Sequence, residues 1–450
     1  MASAVAPHGC PQPRHQTLLR PRSLRLLRRL LPRRRRATAL KRLTLFLTEG
    51  AYRLLSRWYS DPGPKEDVRV AGLLADPAAA GLEDLRIGSE KQNQCDDMYS
   101  PPLGSLPFAA TLRVLELKRC NLKPPSARLA FPRLTDLTLR HCFALEGHLQ
   151  VLVDNAPALT SLVLVNLRQN SPEPPGSDKT IYMHSTFSLR LRLRCPTVTA
   201  LVLETHYLGW HELDDPANTG IELDMPSLRS FRYSGYPLKL SLASPAPALA
   251  RVNLDATRRD HSVQQYEPTS RVLTRFSSTR ALKLRLDNIE DILAGRTILP
   301  TFPNLKLLQV HGKLEMSHHY WYNTEEPAGG PFGESMDRFE RFACMSSAHR
   351  DAVQLDGVSG LPNALTNSKF VCLETTLHKV TLQFKAREVN CFQVRLAKFL
   401  VENAMVLQEM HVDDGSQFWS DHLSHKVARW RAGAFQARNL RDTAGFRVYH

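Results

Sequence analysis

The sequence predicts an α/β fold in which a short strand recurs along the chain and its copies stack into a curved parallel sheet with an irregular convex side. Three observations predict it. One unit is written three times, as LRVLELKRCNL at 112–122, LTDLTLRHCFA at 134–144 and LTSLVLVNL at 159–167. Related phrases follow: VTALVLE from Val198, LRSFRYS from Leu228, LARVNLD from Leu249, TRALKLRL from Thr279 and LKLLQVH from Leu305. A proline precedes six of these strands (Pro132, Pro157, Pro196, Pro226, Pro247, Pro303), where it breaks one segment and launches an extended one. Side chains alternate across a strand, so the fourth and sixth residues of each unit point into a shared core and the third, fifth and seventh point outward. No unit hides its leucines alone, so neighbours stack, as in a leucine-rich-repeat solenoid.

In chain order, residues 1–38 are rich in Pro and Arg and predict a basic, disordered tail. LKRLTLFL at 40–47 predicts a first strand, and VAGLLADPAAAGLEDLRIGSE at 70–90 a short helix leading into a second. First positions then fall at 82, 112, 134, 159, 198, 228, 249, 279 and 305. Regular repeats run about 20–29 residues, so the longer intervals predict loops inserted on the convex side or the rims. The solenoid spans 39–314, and 315–369 loses the pattern and predicts a long loop or linker. LHKVTLQF at 377–384 predicts one more strand, and FQVRLAKFLVENAMVLQEMHV at 392–412 an amphipathic helix running into a last strand. The remainder, 413–450, predicts a closing cap or tail, because a solenoid end must hide its leucines.

Charge locates a partner question. The formal net charge is +15, but twelve Lys and Arg and no acid lie in residues 1–42, leaving 47 basic against 44 acidic residues in the rest. The body is close to neutral, and any nucleic-acid contact is expected only from the tail. Its cluster Arg33, Arg34, Arg35 and Arg36 reads as a nuclear signal, a solvated tail or part of an organelle transit peptide. The expected location is nucleus or cytoplasm, with the transit peptide as the other reading. Eight scattered cysteines without C-x-x-C suit a reducing compartment, and no run approaches a membrane span. Cys120 and Cys142 hold equivalent unit positions, which predicts buried ladder thiols rather than a metal site with His141. His318 and His319, in an aromatic insertion, are weak metal candidates, and no cofactor is expected.

Beyond the repeats, the chain resembles a known family. Units of the form LxxLxLxxC joined by LQVLVDNAPALTSLVL resemble the plant F-box leucine-rich-repeat proteins, and CLETTLHKVTLQF with LAKFLVENAMVLQEM resembles the C-terminal FBD domain of the same family. The matching FBD residues are Leu377, Val380, Leu382, Lys398, Phe399, Leu400, Asn403, Ala404, Val406, Leu407 and Met410. The resemblance covers roughly 40–412. It implies an FBD-like cap at 370–412 and a role in recognising substrates for a cullin ubiquitin ligase, with docking on a Skp-family adaptor wherever an F-box is present. No F-box pattern is recognisable in residues 1–60; LRRLLPRRRR at 27–36 and YRLLSRWYS at 52–60 are the nearest echoes. The expectation is therefore an F-box-less relative or a start that departs from a longer product.

Enzyme motifs are absent from the sequence: no G-x-S-x-G, P-loop, G-x-G-x-x-G or H-E-x-x-H occurs. The pairs Asp214 with Asp215 and Asp413 with Asp414 read as solvated loop acids. A binding module is favoured, because each outward position repeats as a row along the concave sheet face. The candidate partner-binding residues are Glu116, Lys118, Asp136, Thr138, Arg140, Val163 and Val165, then Val202, Glu204, Arg232, Arg251, Asn253, Lys283, Arg285 and Gln309. Apolar rows at Val163, Val165 and Val202, flanked by charges of both signs, suit a protein or small-ligand partner better than a phosphate backbone; the protein substrate is unidentified and no membrane partner is expected. The other reading is a stand-alone repeat protein, nuclear, with no ligase link and a basic tail contacting nucleic acid.

Overall fold

The computed structural model describes residues 40–47, 70, 72–89, 99–123, 130–170, 190–205, 220–235, 239–256, 269–286, 301–312, 370–384, 392–415, 423–442 and 445–449. They belong to two compact units, residues 1–185 and 186–450. The expectations for the basic tail, Arg33 to Arg36, Asp214 and Asp215, His318 and His319, the 315–369 linker and Trp419 lie outside the described residues.

In the first unit, β1 (Arg42–Leu47), β2 (Asp84–Ser89), β3 (Val114–Lys118), β5 (Asp136–Arg140) and β7 (Ser161–Val165) pair side by side, all parallel. The register aligns Leu43, Leu85, Leu115, Leu137 and Leu162 in one row and Leu45, Ile87, Leu117, Leu139 and Leu164 in the next. Both rows are buried, and Leu115, Leu137 and Leu162 are 0% exposed. This is the predicted inward alternation, and each leucine fills space between two stacked neighbours. The chain then turns away through Arg119, His141 and Asn166, all at positive φ (55°, 52° and 48°), and enters β4 (Asn121–Leu122), β6 (Phe143–Leu145) and β8 (Arg168–Asn170). These three strands form a second small parallel sheet, and helix α1 (His148–Asp154) follows β6.

The prolines turn out to have a defined job. The amide of the first-position residue donates to the carbonyl three residues earlier in Phe131–Leu134 (3.1 Å), Ala156–Leu159 (3.0 Å), Met225–Leu228 (3.1 Å), Ala246–Leu249 (3.0 Å) and Phe302–Leu305 (3.2 Å). Each is a four-residue turn with proline second, where its fixed φ is already right and its missing N–H costs nothing.

The second unit repeats the plan. Its main sheet runs β10 (Ala200–Thr205), β12 (Ser230–Gly235), β14 (Arg251–Ala256), β15 (Ala281–Leu286), β16 (Leu307–His311), β17 (Lys379–Gln383), β18 (Glu409–Asp413) and β19 (Arg447–Tyr449), again parallel. A three-stranded parallel sheet joins β9 (Arg190–Arg194), β11 (Gly220–Asp224) and β13 (Leu240–Leu242). β9 and β11 lie in the long intervals before Val198 and Leu228, where the repeat spacing predicts inserted loops. They are strands because Leu191, Leu193, Ile221 and Leu223 alternate with charge, and the pairs Arg192–Glu222 (3.1 Å) and Arg194–Asp224 (3.5 Å) link them across the ladder. Gly235 ends β12 at φ 146°, where a Cβ would lie 2.2 Å from Thr205 Oγ1, so only glycine fits.

In the C-terminal part helices precede most strands, and the same turn recurs without proline at Phe276–Thr279 (3.1 Å) and Ala404–Leu407 (3.2 Å). α2 (Thr269–Thr274) precedes β15, α3 (Val371–Thr375) precedes β17, α4 (Phe392–Asn403) precedes β18, and α5 (Leu423–Ala437) precedes β19. α4 buries Val394, Ala397, Leu400 and Val401, the stripe its periodicity predicts. β18 is not the last strand, as expected from sequence, because β19 pairs with it in parallel. Arg431 of α5 is 1% exposed: its guanidinium donates to the carbonyls of Ala404 (2.9 Å), Met405 (3.3 Å) and Leu407 (3.2 Å) and to both oxygens of Asp442 (2.6 and 3.1 Å). Phe435 and Phe446 stand 4.6 Å from it. Asp414, read from sequence as a loop acid, is buried too, and its carboxylate accepts from the Leu423 amide (2.6 Å) at the start of α5. No described helix is long and apolar enough to cross a membrane.

Candidate protein-interaction face

The outward residues form rows fixed by the register. In the first unit the fifth-position row is Thr44, Arg86, Glu116, Thr138 and Val163, and the seventh-position row is Phe46, Gly88, Lys118, Arg140 and Val165. Charges of opposite sign alternate across it. Arg42 reaches Asp84 (3.5 Å), Arg86 bridges Asp84 (3.0 Å) and Glu116 (3.2 Å), and Arg140 reaches the same Glu116 (3.6 Å). Asp136 accepts from Thr135 Oγ1 (2.7 Å). These half-exposed pairs are individually weak, so they serve shape and complementarity more than stability.

One sequence expectation needs correction. Val165 is 6% exposed and offers no contact surface; it closes β7 beside the much longer Arg140, whereas Val163 is half-buried. Of the two valines expected to face outward here, only Val163 offers apolar surface.

In the second unit the fifth-position row is Val202, Arg232, Asn253, Lys283, Gln309, Thr381, His411 and Tyr449, and the third-position row includes Arg251. The seventh-position row runs Glu204, Ser234, Asp255, Arg285, His311, Gln383 and Asp413. Glu204 pairs with Arg232 (3.6 Å), and Asp255 with Arg285 (3.7 Å). Val202 is half-buried and Arg251 exposed. His311 Nδ1 donates to Gln383 Oε1 (2.7 Å), whose Nε2 donates to Asp413 (3.2 Å). Burial pushes the His311 pKa down, which leaves the imidazole neutral near pH 7. His411 stacks on Tyr449 (centroids 4.6 Å apart) beside the Lys379–Glu409 pair (2.6 Å). The outward residues of β17 to β19 were missed from sequence, although the spacing Leu377, Val380, Leu382 and Leu407, Met410, Val412 carried the signal for β17 and β18.

The thiols behave as ladder residues. Cys120 Sγ lies 3.5 Å from the Lys118 carbonyl, and Cys142 Sγ lies 3.3 Å from the Leu117 carbonyl of the preceding unit. Burial pushes the Cys142 pKa up to about 12, so it remains a neutral thiol donor.

Leucine rows, parallel register and a face of alternating outward rows define a leucine-rich-repeat protein. Residues 70–175 match the family model described as FBD-associated F-box protein At5g56370, LRR repeats, so these repeats are similar to the leucine-rich repeats of the plant F-box/FBD proteins. No curated protein matches the chain.

Proposed function

We propose that this protein binds a protein partner through the outward rows of its repeat strands, as the substrate-recognition part of an F-box-type ubiquitin ligase receptor. The observation that carries the reading is the alternation of charge across in-register rows, Arg42–Asp84–Arg86–Glu116–Arg140, on repeats of the F-box-associated type. A row of fixed, mutually oriented side chains repeated at strand spacing is a template for another polypeptide rather than a pocket for a small substrate. The segment from α3 to β18 supplies the FBD-like cap in this reading. The ligase link is tested by capturing a plant Skp-family adaptor with the full chain and with a chain lacking residues 1–60. Capture by the full chain that is lost on deletion supports a receptor. Capture by neither removes the ligase link and leaves a repeat binding protein, in which case salt-sensitive retention on nucleic acid by the basic tail becomes the property to measure.

A further inference from the structure

We propose that the strand-exit rim of the first unit, centred on Lys118 and Arg140, binds an acidic segment of the protein partner in which a carboxylate side chain lies next to an apolar one. The inference rests on the reading above and names the chemistry of the partner.

Stacking sorts charge along the strands. The acids sit early, Asp84 and Asp136 at the third position and Glu116 at the fifth, whereas the cations Lys118 and Arg140 are register partners at the seventh. The next residues, Arg119 and His141, are held left-handed, with the Arg119 amide donating to the Arg140 carbonyl (2.8 Å) and the His141 amide to the Val165 carbonyl (2.6 Å). The Arg168 amide donates to the Cys142 carbonyl (2.9 Å), so a further arginine enters the same turn layer. Burial first, and then Arg119, Lys118, Arg168 and Arg140, lower the His141 pKa, which agrees with cations converging on that turn.

Glu116 is the acid nearest the rim, and it is shared: Arg86 lies at 3.2 Å and Arg140 at 3.6 Å. Arg86 also holds Asp84 (3.0 Å), so Glu116 is divided between Arg86 and the rim's Arg140 and leaves positive charge over at Lys118. Lys118 has no carboxylate partner among the described residues, and the Arg140 side chain is 42% exposed. These two are the contact groups, while Arg119 and Arg168, engaged elsewhere, add field. Val163, half-buried at the fifth position of the adjacent strand, supplies an apolar contact one strand from Arg140. A nucleic acid fits less well. Asp136 and Glu116 stand only two to four residues back along the strands, about 7–13 Å at strand rise, where a continuous phosphate backbone would meet them. A short peptide meets the rim alone.

The test uses the full chain and fluorescence anisotropy with a labelled eight-residue peptide of alternating Glu and Leu, its Gln-for-Glu counterpart, and a labelled single-stranded DNA 12-mer. The expected result is salt-sensitive binding of the Glu peptide, little binding of the Gln peptide, and a loss of about tenfold or more in the double variant Lys118→Glu/Arg140→Glu, with Lys239→Glu, at an exposed position outside the outward rows, unchanged. An unchanged thermal melt of the double variant shows that the fold is kept. Equal binding of the two peptides, no binding of either, or an unaltered affinity in the double variant overturns the proposal. So does DNA binding that the double variant abolishes while the peptide is ignored. Adaptor capture by the parent chain is measured in parallel, so a parent chain that captures the adaptor but does not bind the Glu peptide sinks this inference and spares the receptor reading.

Discussion

The repeats of the first unit and the C-terminal part of the second deliver the same product by different means. Both place a parallel strand beside the last, with two buried apolar residues inward and three side chains outward. From β3 to β7 the return path is short: a left-handed residue, a small second-sheet strand, before β7 the two-turn helix α1, and a turn in which proline is second. From β17 to β19 the return path is a helix, α4 or α5, and the joint is closed by the buried Arg431 rather than by backbone alone. The strand is the constant; the device that brings the chain back to start the next one is exchangeable. In the turn between α4 and β18 the Ala404 carbonyl accepts from the Leu407 amide (3.2 Å), and one guanidinium collects that carbonyl together with those of Met405 and Leu407.

That contrast makes Arg431 the most sensitive position. Arg431→Met retains much of the volume but takes the guanidinium from the carbonyls of Met405 and Leu407, removes one of the two donors to Ala404, and leaves Asp442 without this cation. It should cost about 3–5 kcal/mol in a denaturant titration. A cost below about 1 kcal/mol would mean that the C-terminal segment is held by its apolar contacts alone and that the contrast is overdrawn. In the turn-built region the matching change is Cys142→Ala, which removes a thiol bonded to a carbonyl one unit away. The same titration should show about 1–2 kcal/mol, because a small buried group and one weak hydrogen bond are lost.

The smallest effect concerns pH. Lys379 holds the Glu409 carboxyl below the usual range by hydrogen bond and charge. A carboxylate lowered on folding contributes stability that is present above its unfolded pKa and lost as pH falls through the lowered value. Glu409→Gln should therefore flatten, slightly, the acid side of a stability profile measured between pH 5 and pH 2, roughly the window of carboxylate titration. A profile identical to that of the parent would remove Glu409 from the acid response.

Much of this was legible because the inward rule is local. Leu137 and Leu139 announce their strand within five residues, and the prolines mark each return. The turn type was not legible, since the 3→0 hydrogen bond appears only once Phe131 and Leu134 are placed. Nor was β9, whose RLRLR also reads as a charged loop until Glu222 and Asp224 stand across from it. Arg431 could not have been found: in KVARWRAGAF it looks like any surface cation of a helix, and only the packing of α5 against α4 and β18 shows its burial. Val165 failed for a similar reason. Alternation predicts its direction, but how much surface remains depends on the neighbour in register. The outward rows of β17 and β18 were the avoidable omission, since the repeat spacing had already marked those strands.

The central claim is that adjacent residues of one strand do opposite work, one holding the fold and the next facing a partner. Leu137 and Thr138 test it most directly, lying side by side in β5, the first 0% exposed and the second half-exposed. Equilibrium unfolding of Leu137→Ala and Thr138→Ala should show a loss of about 2–5 kcal/mol for the first and within about 0.5 kcal/mol for the second. A larger loss at Thr138 than at Leu137 would contradict the register, and with it the assignment of every outward row.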